Sequence, residues 1–239
     1  MSSLELESHR IPMVGPTEGF KVLGTRFTLR GRTSAEVRAR IGAAWGKFKM
    51  LWPLLGRKGC DLVKKLRLFD TCVGQTLLWC NESWILTVAE QRVLRSTQKW
   101  MLRRIAGNSR RPDEPWLDWI RRSTRVARAR ALHAGVRMWV EHHLRCKWQW
   151  AGHVMRMTSD RLARRAFVSR DLEWYLHETL TKPSSLVCRR SHSTYWCRWE
   201  DDFRKFAARN GWAAWQSRTQ SREAWNCWST EFVRWKLHK

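Results

Sequence analysis

Apolar residues recur every three or four positions along most of the chain, which is the spacing of one face of an α-helix. The clearest example is the segment from Thr87 to Gly107, TVAEQRVLRSTQKWMLRRIAG. Its apolar stripe consists of Leu94, Met101 and Ile105. Thr87 followed by Glu90 is a capping box, and Gly107 is typical of a helix C-terminus. The pattern therefore predicts a complete helix with one buried face.

The same segment carries a second stripe that is basic. Its residues are spaced by three, four and four positions: Arg92, Arg95, Lys99 and Arg103. A helix with one apolar and one basic face fits a protein core on one side and an acidic, extended partner on the other. We therefore predict that this helix lies along a nucleic-acid backbone.

The chain before Thr87 divides into strands and then helices. Residues 4–13 and 20–29 are partly alternating and rich in β-formers, with glycine and proline between them, so we predict one hairpin. Thr33 and Glu36 form a second capping box, and Pro53 is predicted to end the helix that follows. A further helix is predicted from near Asp61, and residues 77–86 read as a short extended or turning link.

The chain after Gly107 is predicted to restart as a helix at Asp113 or Pro115 and to break at Gly135. Four arginines of this helix are predicted to face a polyanion: Arg121, Arg122, Arg125 and Arg128. Another helical run includes Trp148, and from about residue 172 no clean period is present. A final amphipathic run indicates two more helices, broken at Gly211.

These patterns predict a mainly α protein with a short N-terminal β-hairpin, a helical bundle and an Arg/Trp-rich helical extension. We divide the chain into four parts. They are a hairpin over 1–31, a bundle over 32–110, a basic extension over 111–170, and a weakly ordered linker with a Trp-rich helical tail over 171–239.

The charge balance strengthens the prediction of a polyanionic partner. The 239 residues include 46 Lys and Arg against 21 Asp and Glu, a net charge of +25. Arginine dominates, and its planar guanidinium is the better fork for phosphate oxygens. Between 92 and 130 there are 12 basic and 3 acidic residues. One sign of charge over consecutive helices favours sequence-independent binding of RNA, DNA or a hybrid duplex.

The 18 tryptophans are the second unusual feature of the composition. Several lie three apart, on one helical face: Trp116 and Trp119, Trp196 and Trp199, Trp212 and Trp215, and Trp225 and Trp228. Core packing is the favoured interpretation for any pair, and base stacking by a few exposed rings is the alternative.

The cysteines and the hydropathy pattern indicate an intracellular protein, with the nucleus as one location. The 7 cysteines show no pairing pattern, the first residues carry no apolar core of a signal peptide, and no apolar run reaches membrane-spanning length. We predict no membrane partner.

The side chains that could hold a metal are poorly arranged for it. Cys188, His192 and Cys197, and separately His142, His143 and Cys146, lack the paired spacing of zinc ligands. Glu200, Asp201 and Asp202 lie in a helix-like run between basic residues, where helix N-terminal charge and pairing with Arg198, Arg204 or Lys205 are favoured over a two-metal site. We predict no cofactor in this chain.

Several segments, in order, resemble the C-terminal part of reverse transcriptases of non-LTR (LINE-type) retrotransposons. They are FKVLGTRFT, TSAEVRARIGAAWGKF, LRLFDTCVGQTLLWCNESWILT, LRSTQKWMLRRIAG and KWQWAGHVMRM. The resemblance covers roughly residues 15–165, and weakly the last stretch.

The resemblance implies that Phe20, Leu23 and Gly24 match the primer grip that closes the palm. It implies that the helices from Thr33 to Gly107 match the connection and thumb, which hold the template–primer duplex, and that the Arg-rich helices match the C-terminal extension. The family's aromatic-x-Asp-Asp centre, which binds magnesium, has no counterpart here, because Asp201 and Asp202 lie at the wrong end.

We therefore expect a truncated fragment of an RNA-directed DNA polymerase that is not an enzyme alone and binds nucleic acid through its thumb and tail. An intact retroelement protein is a further expected partner. The alternative is a helical protein-interaction or self-assembly domain derived from a retroelement, without nucleic-acid function.

Overall fold

The computed structural model of the chain describes residues 3–6, 9–12, 20–22, 24–27, 33–165, 167 and 199–238. Helices dominate these residues, which confirms the prediction of a mainly α protein. No helix in this part of the chain is both long enough and apolar enough to span a bilayer.

The N-terminal strands form two small hairpins rather than the single predicted one. Strands β1 (Ser3–Leu6) and β2 (His9–Pro12) pair antiparallel, and so do β3 (Phe20–Val22) and β4 (Thr25–Phe27). Each predicted arm thus folds back on itself. The turn between β3 and β4 contains Gly24 with φ of 84°, a left-handed conformation that glycine adopts without strain.

Six helices follow from α1 to α6, with a π-helical turn over Asp70–Gly74 and a 3₁₀ turn over Asn81–Ser83. Their bounds are α1 (Ser34–Leu55), α2 (Leu62–Phe69), α3 (Gln75–Leu77), α4 (Val88–Ala106), α5 (Trp116–His133) and α6 (Trp139–Arg156). Helix α2 starts next to Asp61, as predicted, and the Asp61 carboxylate caps it by accepting from the N–H of Val63.

The predicted capping box at the start of α1 is wrong. Thr33 makes no cap hydrogen bond; its hydroxyl instead donates to the carbonyl of Ile85 and accepts from the Ile85 N–H, both at 3.1 Å. The Glu36 carboxylate is buried, and it accepts from the Arg40 Nε–H and the Arg26 N–H at 2.6 Å each. The bonds of the box are thus replaced by bonds to Ile85 and Arg26, 52 and 10 residues away, and to the helical neighbour Arg40.

Helix α1 also continues past Pro53, which we predicted would end it. Proline lacks the N–H donor that continues a helix, yet the N–H of Gly56 still donates to the carbonyl of Trp52 at 2.8 Å, across the proline. The helix therefore ends at Leu55, within a turn of the proline.

Helix α4 forms as predicted, including both ends. The Thr87 hydroxyl accepts from the Glu90 N–H, and the Glu90 carboxylate accepts from the Thr87 N–H. Gly107 ends the helix in the left-handed conformation, with φ of 61°. The apolar stripe is buried, since Leu94, Met101 and Ile105 are at most 3% exposed.

The chain divides into two compact units, residues 1–142 and 143–239, and the boundary falls inside α6. The four-part division predicted from the sequence stays a prediction. The first unit has a core of apolar side chains from α1, α2, α4 and α5, with Phe69 stacked on Trp139 at 6.0 Å between ring centroids. A buried glutamine, Gln98, fixes the segment before α6 by donating to the Arg137 carbonyl and accepting from the Trp139 N–H.

The second unit contains the rest of α6 and three helices near the C-terminus: α7 (Asp201–Arg209), α8 (Arg222–Cys227) and α9 (Ser229–Leu237). The amphipathic run predicted to form two helices, residues 199–228, contains α7 and α8 with Gly211 between them, and α9 follows that run. The core of this unit is aromatic, with six rings at most 2% exposed: Trp148, Phe203, Phe206, Trp215, Trp225 and Phe232.

Candidate nucleic-acid interface

The basic residues predicted on α4 lie on the side of the helix away from its buried face. We call Arg92, Arg95, Lys99 and Arg103 the α4 stripe. Arg92 and Lys99 are exposed, while Arg95 and Arg103 are half-buried. At a rise of about 1.5 Å per residue, the stripe extends about 16 Å along the helix. That length matches about five base-pair steps of one nucleic-acid strand.

The cations of the α4 stripe are not neutralised by carboxylates of the described residues. No ion pair involves any of the four there, and Arg95 makes only a long hydrogen bond, 3.4 Å, to the Gln91 side chain. The one acidic residue of α4 is Glu90, which serves the capping box. The stripe therefore presents positive charge to solvent, and a phosphate ligand would compete with no carboxylate of the described residues.

Helix α5 packs against α4 and presents three further predicted arginines to solvent. Arg121 lies 3.5 Å from Asp118, and Arg128 lies 3.5 Å from Glu141, with more than half of each arginine side chain exposed. Exposed pairs of this kind contribute about 0–1 kcal/mol, so a phosphate can replace the carboxylate at little cost. Arg125 is exposed and has no ion-pair partner among the described residues.

Arg122 differs from its neighbours because its guanidinium is occupied. Its Nε and one terminal nitrogen each lie 2.7 Å from an oxygen of Glu114, in a two-pronged ion pair. It also donates to the carbonyl of Ser109 at 2.9 Å. This hydrogen bonding, helped by a bond from the Arg111 N–H, lowers the pKa of Glu114 to about 2. The pair fixes the loop between α4 and α5, so we expect Arg122 to shape the loop rather than to contact phosphate.

The primer-grip-like residues are only partly described. Phe20 begins β3, and Leu23 lies outside the described residues. The carbonyl of Gly24 accepts from the Arg40 guanidinium, which ties the β3–β4 turn to α1. A Cβ atom at Gly24 would lie 3.2 Å from the indole nitrogen of Trp79, so the turn lies beside a ring that is 54% exposed.

The acidic run at the start of α7 is held by cations. Glu200 pairs with Arg204 at 2.8 Å, as predicted from the helical spacing. Asp202 accepts from the ammonium groups of Lys147, at 3.0 Å, and Lys236, and neither lysine was predicted as its partner. Lys147 and Lys236 are 55 and 34 residues away in sequence, so no local signal could have revealed them. An aspartate between two ammonium groups is poorly suited to bind a cation.

The described residues contain no cluster of side chains suited to bind a metal ion. Among the described residues no group of three or more His, Cys, Asp or Glu side chains could hold an ion. His142, His143 and Cys146 belong to this part of the chain. Cys188, His192 and Cys197 lie outside it.

Of the seven paired tryptophans among the described residues, three are buried, three are half-buried, Trp199 among them, and one is exposed. Trp212, Trp215 and Trp225 are buried, and Trp228 is half-buried. Trp116 is the exception at 58% exposed, while Trp119 is half-buried and donates to the Asn108 carbonyl at 3.0 Å. Trp196 lies outside the described residues.

Sequence reasoning missed an arginine that lies between two tryptophans. The guanidinium carbon of Arg104 is 4.9 Å from the ring centroid of Trp52 and 5.3 Å from that of Trp100. We call these three residues the Trp–Arg clamp. The spacing of Trp100 and Arg104, four residues apart, signals that they are neighbours on α4, but the contribution of Trp52 from α1 is a tertiary contact.

The resemblance to non-LTR reverse transcriptases rests on the sequence segments alone. Membership of that family stays a prediction. Comparison with known proteins finds no matching family model, no matching curated protein and no matching solved structure.

Proposed function

We propose that this chain binds nucleic acid without sequence preference, as the thumb-like and C-terminal part of a protein related to non-LTR reverse transcriptases. The observation that carries the proposal is the α4 stripe. Four cations share one side of a helix whose opposite side is buried, and no carboxylate of the described residues pairs with them. Such a surface binds the regularly spaced charges of a phosphate backbone.

The arginines of α5 support the same proposal. Arg121 and Arg128 hold only loose, exposed ion pairs, and Arg125 holds none with the described residues. Two packed helices thus both carry solvent-facing cations, which raises the local concentration of a polyanion. The proposed ligand is a duplex or structured RNA, DNA or hybrid, because cations spaced along two helices match a phosphate backbone, whose contacts carry no sequence information.

Binding rather than polymerisation is the proposed activity of the chain. The Asp201–Asp202 pair is the one Asp-Asp sequence present, and Asp202 is already paired with two lysines. Incorporation of nucleotides on a primed RNA template by the purified chain with magnesium would overturn this part of the proposal.

The test is the salt dependence of binding. Fluorescence anisotropy with a duplex, a hybrid and a hairpin RNA should show affinity falling steeply as salt rises. Changing Arg95, Lys99 and Arg103 to Glu should weaken binding by about a hundredfold and reduce the slope of log K against log salt by about three.

In the matched control, three exposed cations of the second unit are changed to Glu, which alters the net charge by the same amount. They are Lys205, Arg209 and Arg222. The control should lose much less affinity than the α4 variant. Equal losses in the two variants would show that net charge, not the α4 stripe, determines binding. Self-association that survives nuclease treatment, with no salt-sensitive binding, would favour an interaction domain instead.

A further inference from the structure

The Trp–Arg clamp holds a charged side chain in place without using its hydrogen-bond donors. Both ring contacts of Arg104 lie within the range of cation–π attraction, below about 6 Å. Its guanidinium makes no hydrogen bond or ion pair with the described residues, although the side chain is exposed. Arginine usually loses much of its rotamer freedom on binding, and the two rings have already restricted it.

Among the described residues no carboxylate pairs with Arg104. Helices α1 and α4 each contain a single acidic residue, Glu36 and Glu90. Glu36 is buried against Arg40, and Glu90 serves the capping box of α4. Lys49 lies one turn before Trp52 on α1 and is exposed, so it adds positive charge on the same side of that helix. A pre-positioned guanidinium in a positive field fits an anion with oxygen acceptors.

The rings beside Arg104 are themselves partly accessible. Trp100 is 38% exposed, and Trp45 and Trp52 are half-buried. Trp100 packs edge-to-face with Trp45, at 4.8 Å between ring centroids, and with Phe48, at 6.2 Å. A supported, partly exposed indole next to a phosphate-binding group is the arrangement on which unpaired bases stack.

We propose that the Trp–Arg clamp binds unpaired nucleotides, with a backbone phosphate on the Arg104 guanidinium and a base against Trp100. On α4, Trp100 and Arg104 each come directly after a residue of the α4 stripe. Because each residue turns the helix by about 100°, the clamp and the stripe lie on different sides of α4. A strand can therefore occupy the clamp while a duplex backbone occupies the stripe. This inference rests on the proposed function, since it assigns one part of the nucleic acid to a second place on the same helix.

The test compares full-length chains on a single strand and on a duplex of equal length, by anisotropy at fixed salt. The central variant is Arg104→Lys, which keeps the charge and loses the planar guanidinium that contacts both rings. We expect about a tenfold loss on the single strand and less than a twofold loss on the duplex. The control Arg209→Lys, an exposed arginine of the second unit, should leave both affinities unchanged.

A second variant removes the ring and keeps the charge. Trp100→Leu should reproduce the loss on the single strand, and Trp116→Leu, at an exposed ring away from the clamp, should not. Thermal melting shows whether each variant is folded. If Trp100→Leu is unfolded, the result for Arg104→Lys alone decides the test.

If Arg104→Lys binds the single strand as tightly as the unaltered chain, while the charge reversal in the α4 stripe still weakens binding, the proposal for the clamp is wrong. The proposed function is not contradicted by that result. Equal losses on single strand and duplex overturn the assignment of unpaired nucleotides. Absence of any salt-sensitive binding by the unaltered chain overturns both proposals.

Discussion

Trp148 and Trp225 stack face to face, with ring centroids 3.7 Å apart and an interplanar angle of 4°. Each indole N–H also donates to the backbone carbonyl of the other residue, at 2.9 and 2.8 Å. Both residues are fully buried, so the stack satisfies two polar groups that would otherwise be costly in the core. This reciprocal pair joins α6 to α8 in the centre of the second unit.

The stack requires Gly152, one turn after Trp148 on α6. A Cβ atom at this position would lie 2.5 Å from Cδ1 and 2.6 Å from Nε1 of the Trp225 ring. We expect Gly152→Ala to lower the free energy of unfolding of the second unit by about 1–3 kcal/mol, because the stacked ring cannot move without breaking its hydrogen bonds. Calorimetry of the full chain measures the change.

The matched control is Gly46→Ala, inside α1. An added Cβ there meets no atom within 4 Å, and alanine favours helix over glycine by about 0.5–1 kcal/mol. The two substitutions are chemically identical and should change stability in opposite directions. A Gly152→Ala protein as stable as the unaltered chain would contradict the described packing.

Asp202 is the counter-ion of a buried lysine, Lys147. Removing the carboxylate of Asp202 should lower the free energy of unfolding more than removing the ammonium group of Lys147. The Lys147 side chain is 2% exposed, and its ammonium lies 3.0 Å from the Asp202 carboxylate. Asp202→Asn leaves that charge buried beside Lys236, so we expect a loss of about 3–5 kcal/mol. Lys147→Met removes the buried charge and leaves Asp202 paired with Lys236, so we expect a smaller loss. Denaturant titration measures the free energy of unfolding of both variants. A larger loss in Lys147→Met than in Asp202→Asn would contradict the prediction.

The same cluster predicts how stability depends on pH. Burial alone would raise the pKa of Asp202, but Lys147 and Lys236 outweigh it and hold that pKa below its ordinary value. A lowered carboxyl pKa means that its contribution to stability is present above the ordinary value and lost as pH falls through the lowered one. Burial lowers the pKa of Lys147 despite the attraction of Asp202, so stability rises as pH rises from that lowered pKa toward the ordinary lysine value.

Melting temperatures between pH 3 and 7 test the carboxylate part of this prediction. The unaltered chain should lose stability toward the acid end, and Asp202→Asn should lack that part of the loss. Identical acid profiles for the two proteins would show that Asp202 does not titrate as its surroundings require.

Two copies of one motif show what could be predicted from the sequence and what could not. Thr87 and Glu90 form the capping box that T-x-x-E predicts, because both bonds are local and the helix end is exposed. Thr33 and Glu36 have the same spacing, yet Glu36 is buried and bonds Arg26 and Arg40 instead. Tertiary partners ten or fifty residues away leave no trace in a local pattern.

In the candidate nucleic-acid interface, too, some features could be predicted from the sequence and others could not. The α4 stripe and its buried opposite face follow from helical periodicity, which is a property of the segment itself. The occupied state of Arg122 and the Trp–Arg clamp depend on how a loop folds back and how α1 lies against α4. Side-chain exposure can be predicted from one helix, whereas the partner of each exposed cation requires the whole fold.

The buried Glu36 should hold the β3–β4 hairpin against α1. Its two oxygens accept from the Arg26 N–H in β4 and from Arg40, so Glu36→Gln places an amide donor against one of these donors. We expect amide hydrogen exchange at Arg26 to accelerate at least tenfold, with a loss of about 1–3 kcal/mol in the stability of the docked hairpin. Glu82→Gln, in the 3₁₀ turn, is the control and should leave exchange at Arg26 unchanged.

Arg122 and Arg125 lie three residues apart on α5 and should respond oppositely to neutralisation. Arg122→Gln breaks the two-pronged pair with Glu114, whose pKa of about 2 keeps the carboxylate ionised at neutral pH. The loop between α4 and α5 should therefore loosen and the melting temperature should fall. Arg125→Gln removes an exposed cation with no ion-pair partner among the described residues, so stability should hold while duplex affinity falls about three- to tenfold.

Anisotropy at two salt concentrations and thermal melting, applied to both variants, separate the two roles. The affinity deficit of Arg125→Gln should shrink as salt rises, because the lost contact is a screened phosphate contact. A folded Arg122→Gln protein that loses more affinity than Arg125→Gln would show that the nucleic acid competes with Glu114 for this guanidinium. In that case the loop pair is opened by the ligand, and Arg122 belongs to the interface as the sequence predicts.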